Sequence, residues 1–234
     1  MKNKSMAFGI LLLASSMAGK GVAQTAEWEN PKINAINKEP ARASFMVYDN
    51  EKAVIVDDYS KSPWYQSLNG TWKFNWVAQP ESRPVDFYKD NFDVGAWKDI
   101  PVPSDWQMHG YDYAHYVNIQ YPFPMNQPYI DHKYNPVGSY KRNFTIPDNW
   151  KGMDVFVYFG GVNSAMYLWV NGEKVGYSED SKTPAEFNIT KYLRSGNNSI
   201  AVEVYRWCDG SYLEDQDFFR LSGIERDVYL YASS

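Results

Sequence analysis

An all-β fold, an antiparallel sandwich entered by an extended N-terminal arm, is what this sequence predicts. Three observations carry the prediction. Short runs with apolar residues at every second position recur along the second half of the chain. Turn residues, above all Gly, Asn, Asp and Pro, separate those runs. Almost no stretch repeats with a helical period, and strands at short spacing with turns between them pack as a sandwich or barrel.

The first segment reads as an address. Lys2 and Lys4 precede an apolar run from Met6 to Ala18, and Gly21-Val22-Ala23 ends it with small residues. That order predicts a secretory signal peptide over residues 1–23, cleaved after Ala23, and hence a secreted or periplasmic protein. The run is shorter than the ~20 apolar residues of a membrane span, so no membrane contact is expected once it is removed. Removal takes Lys2, Lys4 and Lys20 and no acid, leaving 20 basic against 28 acidic side chains, a formal charge of −8. Such a balance argues against nucleic acid and anionic membranes as partners. Cys208 is the one cysteine, which excludes an intrachain disulfide; as a residue it reads as a small apolar filler at a strand end. His109, His115 and His132 lack metal-ligand spacing and fit loop roles better than zinc.

Residues 24–68 hold Pro31, Pro40 and Pro63 and no sustained period, which predicts an extended arm with one short helix. The sandwich then occupies 69–234. Thr71–Trp76 sets Trp72, Phe74 and Trp76 on one strand face against Lys73 and Asn75. Pro101 and Pro103 bar a central strand nearby. A long loop rich in Pro, Tyr and Asn reaches residue 124, and loops of that length in compact domains are usually binding loops. Tyr140, Arg142, Phe144 and Ile146 alternate on a strand, and Val155–Phe159 is a short apolar one. Asn171-Gly172 between Met166–Val170 and Lys174–Tyr177 predicts a hairpin. Residues 186–190, 199–205 and 228–231 add further strands, the second with one buried face.

The segment after the 199–205 strand concentrates the chemistry. Arg206-Trp207-Cys208-Asp209-Gly210-Ser211-Tyr212-Leu213-Glu214-Asp215-Gln216-Asp217-Phe218-Phe219-Arg220 packs acids among rings and guanidinium groups. Carboxylates beside flat apolar rings suit a sugar, whose hydroxyls they accept and whose apolar face the rings cover, or a hard cation. The same composition also fits an acidic surface loop paired to Arg220 and Arg226. Asn118 offers both donor and acceptor, which suits a sugar hydroxyl and equally suits a turn. Glu214 with Asp217 is the one pair of acids that could divide acid and base roles.

These motifs resemble the N-terminal sugar-binding domain of family 2 glycoside hydrolases, and within it the large bacterial β-galactosidases. The match runs through Arg206-Trp207-x-Asp209-Gly210-Ser211-Tyr212-Leu213-Glu214-Asp215-Gln216-Asp217 and Ser222-Gly223-Ile224-x-Arg226-Asp227-Val228. Upstream it includes Trp28-Glu29-Asn30-Pro31, Leu68-Asn69-Gly70-x-Trp72-x-Phe74, Val102-Pro103-Ser104-x-Trp106-Gln107-Met108-His109-Gly110-Tyr111 and Tyr116-x-Asn118-x-x-Tyr121-Pro122. The resemblance spans about residues 27–231 and implies a galactose-binding-domain-like jelly roll. It implies that Asn118 and Asp217 contact the galactosyl unit of a β-galactoside, that Asp217 also ligates sodium, and that the acidic loop binds rather than cleaves. A magnesium site would map onto Glu27, Asn30, Glu179 and Asp209, with a carbonyl near Ile33; Glu27 stands where the family has Asp, and Glu179 where it has Gln. The arm is implied to take part in a homo-oligomer. Both catalytic glutamates of the family belong to a downstream (β/α)₈ barrel of about 250 residues, so none is expected here. Three roles are open: the binding domain of a β-galactosidase-like enzyme, a chain complementing a separate catalytic one, or a free-standing carbohydrate-binding module.

Overall fold

The computed structural model of the protein describes residues 26–118, 120–214 and 217–233. The expected signal peptide lies outside the described residues. In chain order the strands are β1 (Ala35–Ile36), β2 (Tyr65–Ser67), β3 (Gly70–Val77), β4 (Lys98–Val102), β5 (Ser104–Asp105), β6 (His115–Val117), β7 (Val137–Thr145) and β8 (Asp154–Phe159). They continue with β9 (Val162–Asn163), β10 (Ala165–Val170), β11 (Glu173–Ser178), β12 (Ala185–Asn188), β13 (Asn197–Tyr205), β14 (Phe218–Arg220), β15 (Gly223–Ile224) and β16 (Val228–Ser233). A seven-stranded sheet runs β1-β11-β10-β13-β7-β3-β4, and a four-stranded sheet runs β12-β8-β16-β2. Two small sheets, β14-β6 and β5-β15-β9, complete the fold, and their pairings, like those of the large sheets, are antiparallel. The result is the expected all-β jelly-roll sandwich.

Period-two alternation builds the core. Met166, Leu168 and Val170 of β10 and Ile200, Val202 and Val204 of β13 point to one side of the large sheet. Val155, Val157 and Phe159 of β8 and Val228, Leu230 and Ala232 of β16 meet them from the small sheet. Each of these Val, Leu, Ile, Met and Phe side chains contributes roughly 1.5–3 kcal/mol on burial. The opposite face of the large sheet is buried too. Ala165, Tyr167, Trp169, Ala201 and Tyr205 form a second cluster with Trp28, Phe87, Phe123, Ile130 and Trp207. Strand β13, expected to bury one face, therefore buries both, because the arm and the long loops cover what would otherwise be its wet side.

The local signals act as the chemistry demands. Asn171 and Gly172 take φ of 52° and 84°, the left-handed pair that a two-residue hairpin turn needs. Asn171 Oδ1 also accepts from Ser199 N at 2.9 Å, which ties the turn to β13. Pro101 sits in β4, the outermost strand of its sheet, where a missing N–H costs no ladder bond. The one α-helix among the described residues, Glu51–Val56, is capped by Asn50, whose side chain accepts from Ala53 N at 3.0 Å. The arm lies along its own sandwich: β1 pairs with β11 and covers that sheet edge, and Arg42 Nε donates to Glu186 Oε1 at 3.2 Å.

Candidate functional site

Strand β13 delivers Arg206 to the end of the sandwich, and Arg206 organises the loops there. It is 1% exposed. Its guanidinium donates to Asp112 Oδ2 and to the Tyr113 carbonyl, and it lies 5.0 Å from the Tyr113 ring centroid and 4.9 Å from that of Trp207. A planar fork that pairs with a carboxylate while stacking on two rings is a role lysine cannot fill. The loop around residue 112 is thereby locked to β13. Asn135 locks the next residue: its Oδ1 accepts from Trp207 N at 2.9 Å, and its Nδ2 donates to Trp207 O at 3.0 Å.

Beyond Arg206 the chain turns back as β14, which pairs with β6 in the register Phe218↔Val117 and Phe219↔Tyr116. Asn118 follows β6 and Asp217 precedes β14, so both lie at the Phe218↔Val117 end of that ladder. Both are exposed. The Tyr116 hydroxyl donates to Asp217 Oδ1, and that carboxylate raises the Tyr116 phenol above its ordinary pKa. Phe219, 57% exposed, packs edge-on against Tyr116 with centroids 5.5 Å apart. Carboxylate, carboxamide and two accessible rings therefore meet on one surface, the arrangement that sugar contact requires.

Glu214 takes another path. Its carboxylate accepts from Ser181 N at 2.8 Å and Ser181 Oγ at 2.6 Å, while its carbonyl accepts from Arg220. Burial holds its carboxyl above the usual range. Glu214 thus closes the acidic loop from inside, whereas Asp217 faces out with Tyr116. Their different partners give no support to an acid–base pair.

The four side chains of the suggested magnesium site are divided by the fold. Glu179 and Asp209 come together, and their oxygens and the Cys208 sulfur lie within 4.8 Å of one another. All three residues are buried. Gly210 lets the turn close over them, since a Cβ there would meet Glu179 Oε2 at 3.3 Å. Burial pushes the Glu179 carboxyl up to about 8 and outweighs the hydroxyl bond from Tyr177; Asp209 adds to the rise. Asp209 Oδ1 is buried without a hydrogen-bond partner. Two desolvated carboxylates with an orphaned oxygen fit a divalent cation. Glu27 turns elsewhere, accepting from Lys174 Nζ and Tyr167 Oη at 2.8 Å each, and Asn30 Oδ1 accepts from Lys32 N at 3.2 Å. Asp217, the residue implied for sodium, offers one carboxylate, and that carboxylate accepts the Tyr116 hydroxyl.

Sequence reasoning did not find Asp112, Tyr116 or the Glu29–His132–Glu81 bridge. His132 Nε2 lies 2.9 Å from Glu29 and Nδ1 2.7 Å from Glu81, joining the arm to the turn at residues 80–82. Tyr116 and Glu29 fall within the quoted motifs, but their contacts were not legible there, because each partner is tens of positions away.

The fold is an antiparallel β-sandwich that gathers acids and aromatic rings at one end. Residues 65–234 match the glycosyl hydrolases family 2 sugar-binding domain, and the chain belongs to that family. It is 50% identical over 212 residues to a β-galactosidase of Priestia megaterium, covering 88% of this chain and 20% of that protein. A β-galactosidase of Yersinia enterocolitica is 48% identical over 205 residues, covering 87% and 19%. The chain therefore spans about one fifth of these relatives' length. Among solved structures, a Bacteroides uniformis β-glucuronidase superposes with a TM-score of 0.55 at 25% identity, over 72% of this chain and 18% of that one.

Proposed function

We propose that this chain is the N-terminal sugar-binding part of a secreted or periplasmic β-galactosidase-like enzyme, and that it presents Asn118 and Asp217 to the galactosyl unit of a β-galactoside. The observation that supports the proposal is the β6–β14 register, at one end of which Asn118 and Asp217 lie near the exposed Tyr116 and Phe219. This surface is open on one side. A sugar enclosed by it needs a second wall, and the exposed Tyr113, Tyr116, Leu213 and Phe219 suit docking against a catalytic barrel. That partner supplies the hydrolytic carboxyls and the further oxygens of a sodium ion at Asp217. Magnesium at Glu179 and Asp209 would supply positive charge between two buried acids and so brace the turn at Gly210. Oligomerisation through the arm belongs to the same proposal.

The test is complementation. A β-galactosidase lacking this region is mixed with the chain, and turnover of a chromogenic β-galactoside is measured. Restored turnover, with KM raised by Asp217→Ala and by Asn118→Ala, is the expected result. Turnover by the chain alone that disappears in Glu214→Gln would overturn the proposal.

A further inference from the structure

The outer face of the four-stranded sheet is aromatic where a solvent-facing sheet would be polar. Phe156, Tyr158, Tyr229 and Tyr231 alternate with the core residues of β8 and β16 and therefore point outward. Tyr158 stacks on Tyr229 at 4.7 Å, and Phe156 on Tyr231 at 5.0 Å. The arm covers one half of this face. Arg42 lies 4.1 Å from the Phe45 centroid and 5.4 Å from that of Tyr231, and Phe45 meets Tyr231 edge-on.

The other half opens into a cleft of about 660 Å³. Tyr59, Tyr65, Tyr158 and Tyr229 supply its rings, and Asp57, Asp58, Asp227 and Arg226 supply its charge. Tyr65 and Tyr229 tilt against each other at 5.1 Å, while Tyr59 stands edge-on to both. The polar groups are held in place: Asn69 Nδ2 donates to Asp227 Oδ1 at 2.8 Å, and Ser60 N donates to Asp58 Oδ1 at 3.0 Å. The Arg226 stem lies over Gly160, where an added Cβ would stand 3.0 Å from Arg226 Cβ.

We infer that this cleft is a second carbohydrate site, for a neutral pyranoside. Tyrosine faces cover the apolar side of a sugar ring, carboxylates accept from its hydroxyls, and a guanidinium donates to its oxygens. The volume admits a disaccharide. Three carboxylates against one guanidinium exclude an anionic sugar by charge. The cleft lies on the small sheet, built by β2, β8, β16 and the arm, whereas the Asn118–Asp217 surface is built by β6 and β14.

Saturation-transfer NMR of the chain with cellobiose, methyl β-galactoside and methyl β-glucuronide tests the inference. Transfer from tyrosine protons to the two neutral sugars is expected, with little to the glucuronide. Tyr59→Ala and, independently, the exposed Arg226→Gln should each weaken binding about tenfold, and binding should persist in Asp217→Ala. Absence of transfer to either neutral sugar would overturn the inference. So would binding untouched by Arg226→Gln, or a chain dimer, seen by sedimentation, that Tyr59→Ala dissociates, since a second copy would then be the occupant.

Discussion

Trp28→Ala tests whether the arm is part of this domain. The Trp28 side chain is 4% exposed and sits between two rings, stacked on Tyr205 at 5.1 Å and tilted on His132 at 4.9 Å. Glu29 beside it accepts from Ile130 N at 3.1 Å and from His132. Truncating a buried Trp costs roughly 3–5 kcal/mol, of which each ring pair accounts for about 0.5–1.5 kcal/mol. Part of that is relieved because the segment can lift off instead of leaving a cavity, so about 3 kcal/mol is expected. For a chain of this size each kcal/mol moves the melting midpoint by about 2–4 °C, which gives a fall of about 6–12 °C. The assays are a circular-dichroism melt and limited trypsin digestion, in which cleavage at Lys32 and Lys38 should accelerate as the arm detaches. A midpoint within about 2 °C of the parent, with unchanged cleavage, would refute the reasoning: the arm would then contribute nothing to its own sandwich.

Further outcomes rest on the same geometry. Arg206→Lys keeps the charge but loses the fork and both ring contacts, and should cost about 3 kcal/mol in a urea melt; parental stability would mean that Asp112 is held by other contacts. His132 is opposed by burial but raised above its ordinary pKa by its bonds to Glu29 and Glu81. Its contribution is therefore complete below about pH 6.5 and is lost as pH rises through the raised value, so the melting midpoint should fall from about pH 6 to pH 9 and the fall should flatten in His132→Gln. A chain that binds magnesium between Glu179 and Asp209 melts higher in magnesium than in chelator, and Asp209→Asn removes the difference. Equal melts in both conditions would leave the pair without an ion.

Much of the architecture was legible in the sequence because it is written in local rules. Alternation in β3, β7 and β8, the Asn171-Gly172 turn and the prolines around β4 each act within a few residues, and the structure places them accordingly. Asn118 and Asp217 stood out through their motifs, yet they are brought to one end of the sandwich by a ladder joining segments about a hundred residues apart, which no local pattern encodes.

What the sequence determined by itself was the longer strands β3, β7, β8, β10, β11, β12, β13 and β16, the family and the residue types of the acidic loop, since periodicity and turn chemistry are properties of neighbours; the short strands β1, β2, β5, β6, β9, β14 and β15 exist only through their distant partners. Which carboxylates meet was decided only by tertiary packing. Glu27 finds Lys174, Glu214 finds Ser181, Asp217 finds Tyr116, and Glu179 is left beside Asp209. The reason is physical: burial makes every polar atom seek a partner, and the partners within reach are set by how strands distant in sequence are laid side by side.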